Sequence, residues 1–374
     1  MTKIKLRATS AFGIESLVAY ELRDLGYNDL TTHNGYVDYD VEEKDILRSN
    51  LWLRCSDRVL WVLDSFDCKD FDDLFEGVSR IPWSDILPKD AAIAVKFKSY
   101  KSLLTSTPHG QSVTKKAIIE VMKKKFSLNM FPETGPRYTI EVALRNDKAD
   151  ICLNTSGEGL HKRGYRQGQG DAPLKETLAA AMIKLSRWKA DRPLVDPFCG
   201  SGTIAIEAAL MGINKAPGLL RTFNCEKWSH LPKEMLIKSR EEANDLIDMK
   251  SLDIYASDND YRVFKKAQSN AALAGVEDLI LYEKKDVYEF KSKKKFGCII
   301  TNPPYGERIG DKDEASDLYK TLGQRYKDLE EWSAFILTTS RSFEKDFAKK
   351  ADKNRKLYNG TIQCYLYQYF GKMR

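Results

Sequence analysis

The chain has 374 residues, 42% hydrophobic and 30% charged, a balance that supports two soluble domains, each with its own core. With 22 Gly, 12 Pro, a mean hydropathy of −0.47 and no apolar run near the ~18 residues of a membrane span, it is neither collagenous, disordered nor built on membrane helices. The net charge of +6 is unevenly spread: residues 1–90 carry 11 Lys/Arg against 18 Asp/Glu, residues 91–170 carry 14 against 6, and residues 171–374 carry 35 against 30. The middle block is a candidate polyanion contact, since clustered cations displace phosphate counterions, and its alternative is an ordinary basic surface. MTKIKLRATSAFGIESL has no apolar stretch of a secretory leader. Seven scattered cysteines with no CxxC point to reduced thiols in a cytoplasm and to no metal site.

In chain order, Ile4, Leu6 and Ala8 alternate as a strand. Ile14, Leu17, Val18, Leu22 and Leu25 form one helical face that Gly26 stops. Tyr36–Val41 and Arg58–Phe66 read as further strands, so the start is a small α+β unit. A strand is expected over 91–97, then a turn at Thr107–Ser112 and a helix over 113–126 with Ser112 as N-cap. Val113, Ala117 and Val121 would face the core, leaving Lys116 and Lys123 on another face. Arg137–Arg145 and Ala149–Asn154 form a hairpin about Asn146-Asp147-Lys148. Residues 155–173 hold five glycines and the basic residues Lys162, Arg163 and Arg166, marking either a tether or a substrate-facing loop.

From residue 174 strands and helices alternate: helix 174–188, strand 193–197, helix 203–211, strand 253–257, helix 261–274, strands 279–283 and 297–302, helix 315–330 and strand 333–339. Strands at 356–358 and 362–370 flank Asn359-Gly360, a strong hairpin signal. The second domain is therefore an α/β fold with an open, mostly parallel sheet and one antiparallel strand.

Two segments carry chemistry. In DPFCGSGT (196–203) a strand runs through a glycine turn into a helix, where Gly200 and Gly202 admit a ligand beyond the strand's carboxyl end. Gly200, Gly202 and Ala205 also fit G-x-G-x-x-A, but no acid follows about 20 positions on, and no Gly-Lys-Ser/Thr makes a P-loop. TNPPYG (301–306) directly follows an apolar strand. Asn302 and the Pro303 carbonyl can accept the two hydrogens of an exocyclic amine, and Tyr305 can stack on the base. A tight turn that only ends a strand has no need of Asn before Pro-Pro-Tyr.

These motifs resemble the class I S-adenosylmethionine-dependent amino-methyltransferases. The resemblance implies a Rossmann-like seven-stranded domain with a terminal antiparallel hairpin and S-adenosylmethionine as cofactor, leaving as S-adenosylhomocysteine. It implies a cofactor site of Asp196, Phe198, Gly200, Gly202 and Thr203, with Asp258 on the ribose, Asp286 on the adenine amine, and Asn302, Pro303 and Tyr305 catalytic. Cys199 and Cys298 are then packing thiols, not nucleophiles. SGEGLHKRGYR and DAPLKETLAAAMI, after TPHGQSVTKKAI, extend the likeness to the THUMP-domain RNA methyltransferases, and within them to the RlmL-type enzymes acting on guanine N2 of large-subunit rRNA. The implied organisation is a ferredoxin-like α+β region (1–65), a THUMP RNA-binding domain (66–155), a basic glycine-rich loop (156–173) and the methyltransferase domain (174–374). Ending after one catalytic domain, the sequence departs from the fused two-methyltransferase form, which implies a single activity.

The expected partner is ribosomal RNA or a ribosomal precursor particle, reached through Lys116, Lys123, Lys162, Arg163 and Arg166, with no membrane involved. Competing readings are methylation of adenine N6 in DNA or RNA or of a protein glutamine, a catalytically inactive RNA-binding assembly factor, and a nicotinamide oxidoreductase.

Overall fold

The computed structural model describes residues 3–166, 173–304 and 312–372. The N-terminal half runs β1 (Lys3–Thr9), α1 (Glu15–Asp24), β2 (Leu30–His33), β3 (Tyr36–Glu42), α2 (Asp45–Trp52), β4 (Arg58–Asp67), α3 (Phe71–Ser79), α4 (Trp83–Ile86), β5 (Ala92–Tyr100), α5 (Thr107–Phe126), β6 (Arg137–Arg145) and β7 (Lys148–Asn154). Its strands form one sheet in the order β2-β3-β1-β4-β7-β6-β5. β4 bonds to β1 on one side and β7 on the other, so the sheet is continuous across the boundary expected at residue 65. Asn146 and Asp147, both at positive φ, make the expected tight turn between β6 and β7.

Helix α5 differs from expectation in two ways. It starts at Thr107, because Pro108 in a first turn lacks only an N–H that has no helical partner anyway. Its buried stripe is Gly110, Thr114, Ala117, Ile118 and Met122, with Val113 and Val121 only half-buried. Gly110 explains that rotation: a Cβ there would stand 2.6 Å from the Phe97 ring, so this face alone can close onto β5.

The C-terminal half runs α6 (Glu176–Ser186), β8 (Leu194–Asp196), α7 (Thr203–Gly212), α8 (Lys233–Asp245), β9 (Ile254–Asp258), α9 (Tyr261–Ala274), β10 (Ile280–Lys284), β11 (Cys298–Thr301), α10 (Lys312–Lys327), β12 (Ser333–Thr338), α11 (Phe343–Asp346), β13 (Lys353–Asn359) and β14 (Ile362–Tyr369). The sheet order is β10-β9-β8-β11-β12-β14-β13, with β14 alone antiparallel to its neighbours. Helix α8 went unexpected because only Leu236 and Ala243 are buried on it, too few for an apolar stripe. One apolar core runs from the first sheet through α6, α7 and α9. A second joins Tyr319, Leu322, Phe343 and Phe347 to Tyr367 and Tyr369. No described helix is long and apolar enough to cross a membrane.

Candidate active site

Chain order reverses between β8 and β11: β8 is followed outward on one side by β9 and β10, and β11 lies on the other. Parallel sheets open a crevice at the carboxyl ends of strands flanking such a switch. Here it is a cleft of about 690 Å³ whose rim comes from four strand ends: Asp196 after β8, Asp258 after β9, Asp286 after β10 and Asn302 after β11.

Asp196 is buried and lies beneath both motifs. Thr301 donates its hydroxyl to Asp196 Oδ1 at 2.6 Å, and the Phe198 N–H donates to the same oxygen at 3.3 Å. The glycine turn and the strand bearing Asn302 are thus tied to one carboxyl. Burial pushes Asp196 up to about 7, opposed by these two hydrogen bonds. Since the folded-state value lies above the ordinary 3.8, the proton-bound carboxyl stabilises the fold below about pH 4, and that contribution is lost as pH rises through 7. Thermal melts from about pH 5 to about pH 8 should show the wild type losing stability relative to Asp196→Asn, whose amide oxygen can still accept from Thr301. Parallel curves for the two proteins would refute this.

Gly200 and Gly202 both have positive φ but do different things. A Cβ on Gly200 would meet nothing within 4 Å, and the residue lines the cleft. A Cβ on Gly202 would stand 3.1 Å from that of Ala267, so Gly202 serves the close approach of α7 to α9 and does not line the cleft. Asp258 accepts from the Gly200 N–H at 3.0 Å and the Asp260 N–H at 3.1 Å, bracing the turn, and burial raises its pKa. Asp286 accepts from the Tyr288 N–H and from Asn259 Nδ2. Phe198 and Thr203 line the cleft, and Thr203 opens α7.

Asn302 lines the same cleft, and its Oδ1 is buried without a hydrogen-bond partner among the described residues. A buried carbonyl oxygen without a donor is costly unless a ligand supplies one. Pro303 is buried and Pro304 lines the cleft, while Tyr305 lies outside the described residues. Cys199 and Cys298 are buried, with thiols pushed up by desolvation, Cys298 to about 12, as inert packing residues require. Sequence reasoning missed Asn259, Lys266 and Lys285 in the lining. The first and last adjoin strand-end acids and could have been found that way. Lys266 reaches the site only through the packing of α9.

The described part of the basic loop, residues 156–166, is packed rather than a tether. Arg163, expected to touch RNA, is 2% exposed and held at 3.3 Å by Glu207 on α7, with its remaining donors on the carbonyls of Leu160 and Arg54. Glu207, itself fully buried, also accepts from Tyr165. Arg166 pairs with Glu176 at 2.9 Å and donates to Thr203 Oγ1 at 2.8 Å, bracing the start of α7. Both arginines therefore face the fold's interior. Lys116 and Lys162 are exposed, paired at the surface with Glu120 and Glu158, and Lys123 is half-buried.

The site fits a cofactor with one end on a glycine turn and polar groups for acids beyond it. Residues 163–368 match the family described as RMKL-like, methyltransferase domain; residues 5–60 match the RlmL ferredoxin-like domain and residues 68–154 the THUMP domain. Over 377 aligned positions the chain is 46% identical to "Putative RNA methyltransferase YpsC" of Bacillus subtilis (strain 168), covering 100% of this chain and 98% of that protein. It is 34% identical over 375 positions to "Ribosomal RNA large subunit methyltransferase K/L" of Aliivibrio fischeri (strain ATCC 700601 / ES114), covering 96% of this chain but 52% of that protein, and so spans about half its length. A crystal structure from Listeria monocytogenes str. 4b F2365, described as a "predicted N6-adenine-specific DNA methylase", superposes with a TM-score of 0.95 at 44% identity, covering 100% of this chain and 97% of that one. That of SMU.472, "a putative methyltransferase complexed with SAH", gives 0.95 at 42%, covering 100% of both. Fold, cleft and relatives together define an S-adenosylmethionine-dependent methyltransferase. The chain belongs to the RMKL-like methyltransferase family, with RlmL ferredoxin-like and THUMP domains preceding the catalytic one.

Proposed function

We propose that the protein transfers a methyl group from S-adenosylmethionine to the exocyclic N2 amine of a guanosine in large-subunit ribosomal RNA. The observation that carries this reading is the buried, unpartnered Asn302 Oδ1 on the cofactor cleft, an acceptor awaiting an N–H donor. When bound, S-adenosylmethionine supplies an electrophilic methyl carbon on a sulfonium. Gly200 and the main chain around it would hold its methionine end, Asp258 its ribose and Asp286 its adenine amine. Asn302 Oδ1 and the Pro303 carbonyl accept the two amine hydrogens and draw the nitrogen lone pair out of conjugation with the ring, an effect strongest in the transition state. Tyr305 stacks on the base, and the proton leaves after transfer, so no strong base is needed.

The RlmL-like N-terminal unit and the ribosomal RNA activity named for the K/L relative support RNA as the substrate. The adenine activity named for the Listeria protein favours the competing reading. Labelled methyl transfer onto unmodified large-subunit rRNA, followed by digestion to nucleosides, decides between them. N2-methylguanosine is expected, and N6-methyladenosine would overturn the target. Cofactor binding without transfer would favour an assembly factor. The exposed lysines Lys116 and Lys162 contribute to RNA affinity as solvated charges, so each neutral substitution should flatten the salt dependence of binding by about 0.7 in log–log slope. Unchanged slopes would mark them as ordinary surface.

A further inference from the structure

Beside the cofactor cleft lies a larger cavity of about 1290 Å³, walled by the 156–166 loop, the 173–176 segment and the 219–227 segment. Pro173 and Leu174 line both spaces, so the cavity adjoins the site that holds Asn302. Its charged lining comprises seven cations and two carboxylates, Glu158 and Glu176.

Most of those cations are already committed. Arg163 is held by Glu207, Arg166 by Glu176, Arg240 by Glu226 and Lys162 by Glu158. Arg221 spends its two terminal nitrogens on four main-chain carbonyls of the loop: Gly159 at 2.6 Å, Lys162 at 2.9 Å, Ser156 at 3.3 Å and Glu158 at 3.0 Å. Those carbonyls are thereby neutralised as sources of repulsion toward an anion. Lys175 and Lys227 have no carboxylate within ion-pair distance among the described residues. His161, also in the lining, has a buried Nδ1 without a partner among the described residues. Its pKa is pushed down to about 4, first by burial and then by the charges of Lys175, Arg58, Arg163 and Lys162. Burial is the larger cause, and the part due to the cations marks a positive field where an anion would enter.

We propose that this cavity seats the phosphodiester backbone next to the methylated nucleotide, with Lys175 and Lys227 as its counter-charges. The inference rests on the reading of an RNA acceptor. The space exceeds the ~300–1,000 Å³ of usual small-ligand sites, and its continuity with the cleft suits a strand whose target base turns toward Asn302.

The test is binding of a short labelled single-stranded RNA to the full chain over a salt series. For the double variant Lys175→Gln/Lys227→Gln, the log–log salt slope should fall by about 1.4, at about 0.7 per lost phosphate contact, and the KM for RNA should rise at least about tenfold. The S-adenosylmethionine dissociation constant, from equilibrium dialysis, should stay put. Lys175→Arg/Lys227→Arg should restore the slope, which a folding defect would not allow. A wild-type slope in the Gln variant overturns the proposal, as does competition by inorganic phosphate with the potency of the RNA. A Gln variant that lowers the slope as expected, with no methyl transfer to RNA by the wild type, would sink the activity and leave the cavity as the seat of an RNA backbone.

Discussion

Asn302→Ala should lower kcat by about 100- to 1,000-fold while leaving the affinity for S-adenosylmethionine near wild type. Losing one preorganised polar contact to a reacting group typically has a cost of that size. Oδ1 has no partner among the described residues, so its removal breaks no hydrogen bond there and should relieve, not increase, the strain of a buried orphan acceptor. Folding stability should therefore hold or rise slightly as activity falls. Single-turnover methyl transfer and a urea melt on the same preparation separate the two. Full activity in the alanine variant would end the case for amine recognition by this residue, and a large loss of stability would recast it as structural.

Arg163→Met should destabilise the protein by about 3–5 kcal/mol, because it leaves Glu207 as an uncompensated charge with no exposed surface. Restoring neutrality with Arg163→Met/Glu207→Leu should recover much of the loss, since two apolar groups of similar volume often replace a buried ion pair at little cost. Urea denaturation measures both. RNA binding by the stable double variant should keep its wild-type salt slope, for the guanidinium is already committed to Glu207 and to the carbonyls of Leu160 and Arg54. A lost slope with unchanged stability would return Arg163 to the RNA-contact set. The pair also matters to catalysis indirectly. Glu207 lies on α7, whose first residue, Thr203, is braced by Arg166, so the loop after the THUMP domain and the cofactor turn are built on one helix.

Most of the catalytic cleft could be read from the chain because its parts are short and self-contained. DPFCGSGT dictates a positive-φ turn at a strand end, NPPY places an amide where two prolines stop the strand, and Asp258 ends the strand IYASD, while Asp286 follows from the family resemblance alone. Their turn dihedrals are set within a few residues, so contiguous sequence determines them, whereas the hydrogen bonds that join the parts, Gly200 to Asp258 and Thr301 to Asp196, span 58 and 105 residues. The mostly parallel character of the second sheet and its antiparallel strand follow equally from the alternation of β and α segments and the Asn359-Gly360 hairpin, whereas the strand order is decided by packing.

Tertiary structure decided what depends on a partner far along the chain. Whether Arg163 meets solvent or Glu207, 44 residues on, is invisible to any local pattern, and a cation-rich loop read as an RNA surface proved to be half interior. Phe97 sets the rotation of α5, and Ala267 gives Gly202 a helix-packing role. Lys175 and Lys227 gained meaning only when neighbouring cations were seen to be paired. In each case the deciding quantity is desolvation or steric contact with a distant residue, which is fixed by packing and not by periodicity.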